Sequence, residues 1–147
     1  MKTTISAIIL GLSTMTAQAE IQNYDCQLHS MEDQGWIPPR VLLSVDAPSN
    51  RARAYDGHIS GHNDLAGIHE DTPIDAKFKT TRKGEYRLNW RLTLSTSNSR
   101  RVRIFYTATI DPKTNKLRMS ARFPMDNVTN RPSGEGRCEP VKSWTLY

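Results

Sequence analysis

RRVRIFYTATI, residues 100–110, alternates between two kinds of side chain. A strand turns successive side chains to opposite faces, so Val102, Ile104, Tyr106, Ala108 and Ile110 share one face and Arg101, Arg103, Phe105, Thr107 and Thr109 share the other. The first face reads as core. The second sets arginines around a phenylalanine, and such a face either binds something or is simply solvated.

The same period continues on both sides. Tyr86, Leu88, Trp90, Leu92 and Leu94 alternate with Arg87, Asn89, Arg91 and Thr93, and Leu117, Met119, Ala121 and Phe123 alternate with Lys116, Arg118, Ser120 and Arg122. Three long strands in succession follow. Between the last two, residues 111–116 read as a four-residue hairpin loop, with Pro112 preset for a turn and Asn115 tolerant of the left-handed conformation. If Asp111 faces Lys116, then Ile110 faces Leu117, Ala108 faces Met119, Tyr106 faces Ala121 and Ile104 faces Phe123. Pairing Leu94 with Val102 matches the faces of the preceding pair. The outward side then carries Arg91, Phe105 and Arg122 in one row and Arg87, Thr109 and Arg118 in the next, with strands about 4.8 Å apart. Outward acids on these strands stand only at the ends, at Glu85 and Asp111, so the arginines lack internal counter-ions unless another strand supplies them.

Weaker alternating sets precede this run: Tyr24, Cys26 and Leu28; Val41, Leu43 and Val45; Ala52 and Ala54, with Asp56 next in phase; and Ile74, Ala76 and Phe78. Residues 46–50 and 82–84 are polar connections of the hairpin kind, and Pro38-Pro39 places the entry to its strand at an edge or a bend. Trp144 and Leu146 alternate near the end and suggest a final strand over 141–147. The expected fold is all-β, one domain over residues 20–147, an antiparallel meander of about eight strands closing into a small barrel. A two-sheet sandwich buries the same alternate residues and is the alternative. Trp90, mid-strand in an unbroken apolar set, is the surest core residue.

Residues 1–19 have the form of a secretory signal peptide: Lys2, an apolar stretch around residues 5–12, and Ala17-Gln18-Ala19 before a cut between Ala19 and Glu20. No later stretch approaches the roughly 20 apolar residues of a membrane helix. The expectation is a periplasmic or secreted protein that does not span the membrane. Cys26 and Cys138 are the only cysteines, and in an exported chain they are expected to form one disulfide joining the two ends. No C-x-x-C spacing suggests a redox role. The formal charge of +5 favours anionic partners without the concentrated basic excess of a nucleic-acid binder, so no nucleic acid is expected.

Residues 57–73, GHISGHNDLAGIHEDTP, hold His58, His62 and His69 with Asp64, Glu70 and Asp71. These are metal-ligating types, but their spacing matches no ligand pattern. His58 and His62 share a face only in a helix, and Gly57, Gly61 and Gly67 argue against one. The segment therefore reads as a polar loop, a lid or a contact surface. The sequence has no G-x-S-x-G, H-E-x-x-H or P-loop and no spare cysteine, so no catalytic residue and no cofactor is expected.

Cys26-x-Leu28, Gly35-Trp36-Ile37-Pro38, Asp56-Gly57-x-Ile59, Pro73-Ile74-x-Ala76, Trp90, Tyr106-x-Ala108-x-Ile110 and Gly136-x-Cys138 together resemble a group of uncharacterised small secreted proteins of alphaproteobacteria. The resemblance implies location and fold and carries no activity. Three function classes stay open. One is a non-enzymatic envelope protein binding lipopolysaccharide, another anionic glycan, a lipid head group or a protein on the face of Arg87, Arg91, Phe105, Arg118 and Arg122. The second is an inhibitor of an exported hydrolase acting through residues 57–73, and the third a metal-dependent activity at the same histidines.

Overall fold

A computed structural model describes residues 20–147; the expected signal peptide and its cleavage lie outside the described residues. The chain forms β1 (Gln22–Ser30), β2 (Arg40–Asp46), β3 (Arg51–Asp56), α1 (Gly57–Ala66), β4 (Ile74–Thr80), β5 (Tyr86–Ser95), β6 (Arg101–Ile110), β7 (Lys116–Arg122) and β8 (Ser133–Val141). Each strand pairs antiparallel with its neighbours in sequence, and β8 pairs back onto β1, so the sheet is a closed barrel rather than a sandwich. Closure removes the free edges that a sheet of this size must otherwise protect.

The alternating sets become the interior. Leu43, Leu88, Leu92, Ile104, Tyr106, Ile110, Leu117 and Met119 are wholly buried, and Trp90 is buried with them. Fully burying one such side chain stabilises a fold by about 1.5–3 kcal/mol, so register is strongly specified. The β5–β6 ladder runs from Tyr86 opposite Ile110 to Ser95 opposite Arg101, and the β6–β7 ladder from Ile110 opposite Leu117 to Phe105 opposite Arg122. Both match the register read from the sequence up to that point. The ladder stops before Ile104 meets Phe123, which leaves the sheet and packs its ring edge-on against Trp36 at 5.0 Å. In the 111–116 turn, Asn115 adopts a left-handed φ of 56° and the Asp111 N–H donates to the Lys116 carbonyl at 3.0 Å.

Cys26 and Cys138 face each other across the β1–β8 seam and form the disulfide. The bridge closes a loop of 112 residues, which on the chain-entropy model contributes about 4–5 kcal/mol. β8 lies unusually close to β1 here: a Cβ on Gly136 would sit 1.9 Å from the Gln27 carbonyl oxygen. Pro140 lies beyond Arg137, where the β7 ladder ends, so its missing N–H leaves no gap on that side.

The last strand is β8, earlier in the chain than the alternation of Trp144 and Leu146 suggested. Residues 142–147 instead turn back across the outside of β2 and β3. The Leu146 N–H donates to Ser44 Oγ at 3.0 Å, Arg53 donates to the Leu146 carbonyl at 3.0 Å, and the guanidinium carbons of Arg51 and Arg53 stand 5.0 and 4.9 Å from the Tyr147 ring centroid. That tail covers the outer face of β2 and β3.

The segment after β3 corrects a second expectation, because residues 57–66 are helical. The Asp56 carboxylate accepts from the Ile59 N–H at 2.8 Å as an N-cap, and Gly67 ends the helix at φ 69° with its N–H bonded to the carbonyls of Asn63 and Asp64. Ile59 and Asn63, one turn apart, are the buried face. Its one interior glycine, Gly61, costs about 1 kcal/mol relative to alanine, and the caps and the burial of Ile59 offset this.

Candidate functional site

The outer side of β4 to β8 holds the arginine face. Arg91, Phe105 and Arg122 lie side by side on β5, β6 and β7, and Arg87, Thr109 and Arg118 form the next row. The rows are therefore as the sequence implied, but their electrostatics differ. Arg118 donates to Glu85 at 2.8 Å, and Glu135 of β8 stands opposite it in the ladder. Glu85 at the strand end thus ties down this arginine, Glu135 adds a negative charge across the ladder, and the second row is partly compensated.

The first row is different. It borders a depression of about 670 Å³ between β4, β5, β6 and β7, whose floor is the sheet itself at Trp90, Tyr106 and Ala121. Lys77 enters from β4 and Arg131 from the connection that follows β7. Arg131 was not among the residues singled out from the sequence, because it sits in a connection without periodicity and only the return of that segment to the sheet, where the Ala121 N–H donates to the Pro132 carbonyl, aims it here. Among the described residues Arg91, Arg122 and Arg131 form no ion pair, and the one carboxylate at the rim, Asp75, is held by Arg53 at 2.8 Å. The Arg122 guanidinium carbon lies 4.9 Å from the Phe105 ring centroid, within cation–π range, so the ring face supports the charge. Asn89 and Thr107, hydrogen-bonded to each other at 2.8 Å, add polar groups beside the cations. Such a set offers planar, multidentate donors to carboxylate, sulfate or phosphate.

The three histidines are separated. His58 stacks on Tyr106, with its Nδ1 3.3 Å from the tyrosine oxygen, whose own proton goes to the Trp36 carbonyl at 2.9 Å. Burial lowers the His58 pKa, opposed by a hydrogen bond to the Gly35 backbone. His62 Nδ1 accepts the Thr93 N–H at 3.1 Å, and His69 Nδ1 accepts the Asp71 N–H at 3.3 Å. Among the described residues no group of three or more His, Cys, Asp or Glu is placed to hold a metal ion.

Asp56 is the residue that sequence reading undervalued. It points into the barrel end under α1, buried, with Oδ1 on the Ile59 N–H and Oδ2 without a hydrogen-bond partner. Burial pushes its pKa from 3.8 up to about 6, against the opposing hydrogen bonds from the backbone of Ile59 and His58. The signal was an acid in phase with an apolar strand set, three residues before an isoleucine. No family model, curated protein or solved structure matches the chain.

Proposed function

We propose that this protein is an exported, non-enzymatic binding protein of the cell envelope that holds an anionic ligand on the outer face of β4 to β7. The observation that carries this reading is the depression lined by Arg91, Arg122 and Arg131, which among the described residues have no carboxylate partner, while the one acid that lines it, Asp75, is paired with Arg53. Guanidinium groups that line one depression without counter-ions repel one another, and an anion between them relieves that repulsion. The contact of Arg122 with Phe105 favours the same conclusion, since it restrains a flexible side chain that lines the depression.

Export supplies the ligand class. The signal-like residues 1–19 support delivery outside the cytoplasm, and the disulfide is compatible with an oxidising compartment. In a periplasm the abundant anions are lipopolysaccharide and acidic glycans. The dispersed histidines do not favour a metal-dependent activity at residues 57–73.

The test compares residues 20–147 with the Arg91→Ser, Arg122→Ser double variant for binding to lipopolysaccharide at low and moderate salt, circular dichroism confirming that both fold. Salt-dependent binding by the native protein and its loss in the variant support the reading. Equal binding by both makes the arginines a solvated barrel wall, whose stems cover apolar surface and whose charges deter aggregation.

A further inference from the structure

The depression at Arg91 and Arg122 is the first of three that adjoin along β7. A second depression, of about 410 Å³, shares Thr107 and Ser120 with the first, and a third, of about 600 Å³, shares Arg118 and Glu135 with the second. The shared residues are themselves cross-strand partners, Thr107 with Ser120 and Arg118 with Glu135, so the three hollows adjoin one another across the sheet. The outward residues of β7 mark the way: Arg122 in the first, Ser120 where the first two meet, Arg118 where the next two meet, and Lys116 in the third. From Arg122 to Lys116 this is about 20 Å at roughly 3.3 Å per residue. Lys116 is joined at the far end by its ladder partner Arg137 and by Lys83, with the carboxylate of Asp111 beside them. Midway, Arg87 lines the second hollow with a buried Nε that has no hydrogen-bond partner.

The geometry points to an extended acidic glycan strand, lying along β7, as the ligand of this face, an inference that rests on the anion-binding reading above. A single small anion fills one hollow and leaves the cations of the others unused, whereas a linear polymer spans all of them. The lining also alternates in kind. Between the cationic ends lie Thr107, Thr109, Ser120 and Ser133, and the carboxylates of Glu85 and Glu135 flank Arg118. Carboxylates accept hydrogen bonds only, and they suit the hydroxyls of a sugar ring while the guanidinium groups take its acidic substituents. A phosphodiester strand carries a negative charge at every unit and meets those carboxylates with repulsion. It also gains its affinity from stacking on open aromatic faces, and Phe105 already carries Arg122.

Calorimetric titration of residues 20–147 with heparin-derived and galacturonate oligosaccharides of two, four and eight sugars, at one ionic strength, tests this. The variants are Arg91→Ser with Arg122→Ser at one end and Lys116→Ser with Arg137→Ser at the other, all four positions being exposed and their folding checked by circular dichroism. In at least one series the octasaccharide should bind about tenfold or more tighter than the disaccharide, beyond the few-fold gain from sliding registers, and the Lys116, Arg137 variant should remove that gain while leaving the disaccharide within about twofold. Affinity independent of length, or an octasaccharide unaffected by that variant, overturns the extended groove and leaves the single anion site standing. Tight lipopolysaccharide binding without binding of any acidic oligosaccharide assigns the site to lipid phosphate and overturns the glycan. Tighter binding of a sixteen-nucleotide single-stranded DNA than of either octasaccharide overturns it in favour of nucleic acid.

Discussion

Arg122 lies over Phe105, its guanidinium carbon 4.9 Å from the ring centroid, on the cross-strand pair that ends the β6–β7 ladder. The contact restrains an exposed arginine that lines the same depression as Arg91 and Arg131. Charge alone does not account for such an arrangement, because lysine would carry the same charge without the planar fork.

Arg122→Lys therefore separates charge from geometry. Loss of the stack and of bidentate donation is worth about 1 kcal/mol, or roughly fivefold in affinity. Lipopolysaccharide binding by the Lys variant should fall by about that factor while the urea midpoint moves by the small amount typical of a surface substitution, about 0.5 kcal/mol or less. Equal affinity of the two proteins shows that Arg122 acts as a point charge only.

His62→Ala tests how α1 is fastened. β4 pairs with β5 only from Asn89 down to Tyr86, and beyond that pairing the edge of β5 meets α1, where the Thr93 N–H donates to His62 Nδ1 at 3.1 Å. Removing the imidazole leaves a partly buried donor unsatisfied, at a cost of about 1–3 kcal/mol. The expected signature is local: the Thr93 amide exchanges faster with solvent while amides of the β1–β8 seam keep their protection. Unchanged exchange at Thr93 means that some other acceptor reaches it.

Gly136→Ala tests the closure of the barrel. The added carbon meets the Gln27 carbonyl oxygen at 1.9 Å and the Leu28 Cα at 2.9 Å, both backbone atoms of β1 that cannot move without opening the ladder. Destabilisation should exceed the roughly 1–3 kcal/mol usual for overpacking, with loss of the cooperative unfolding transition as the extreme case. Glu135→Ala, one residue away and exposed, is the control and should stay near native stability.

What was legible in the sequence followed from period. Alternation from Tyr86 to Met119 gave face and register together, because a slip of one residue buries every arginine of β6 and β7. The arginine rows were legible for the same reason. What was not legible depended on the chain returning from a distance. Glu85 reaches Arg118 across the sheet, Glu135 arrives on β8, and Arg131 is carried to the depression by a connection with no pattern of its own. The 57–66 helix was misread because glycine propensity was weighed alone, while its determinants, the Asp56 cap, the Gly67 terminus and the burial of Ile59, lie at its ends or on the barrel. The strand expected over 141–147 failed differently: Trp144 and Leu146 alternate, but the seam beside β1 is already filled by the stretch that carries Cys138.

Asp56 gives the pH prediction. Its pKa in the fold is about 6 against an ordinary 3.8, raised chiefly by burial, so between these values the folded protein holds a proton that the unfolded chain releases. Folding is then favoured at the acid side of the window, and this contribution is lost as pH rises from about 4 to about 6, amounting to about 3 kcal/mol at pH 7. Asparagine has the shape of the protonated acid and is itself a good N-cap, keeping an acceptor for the Ile59 N–H. Urea unfolding of the native protein and Asp56→Asn between pH 4 and pH 7 isolates this residue, since every other titrating group is common to both. The two should be nearly equal at pH 4, and the variant should become progressively more stable than the native protein above it. A difference independent of pH means that the carboxylate ionises as readily in the fold as out of it, and that Oδ2 has found a partner beneath α1.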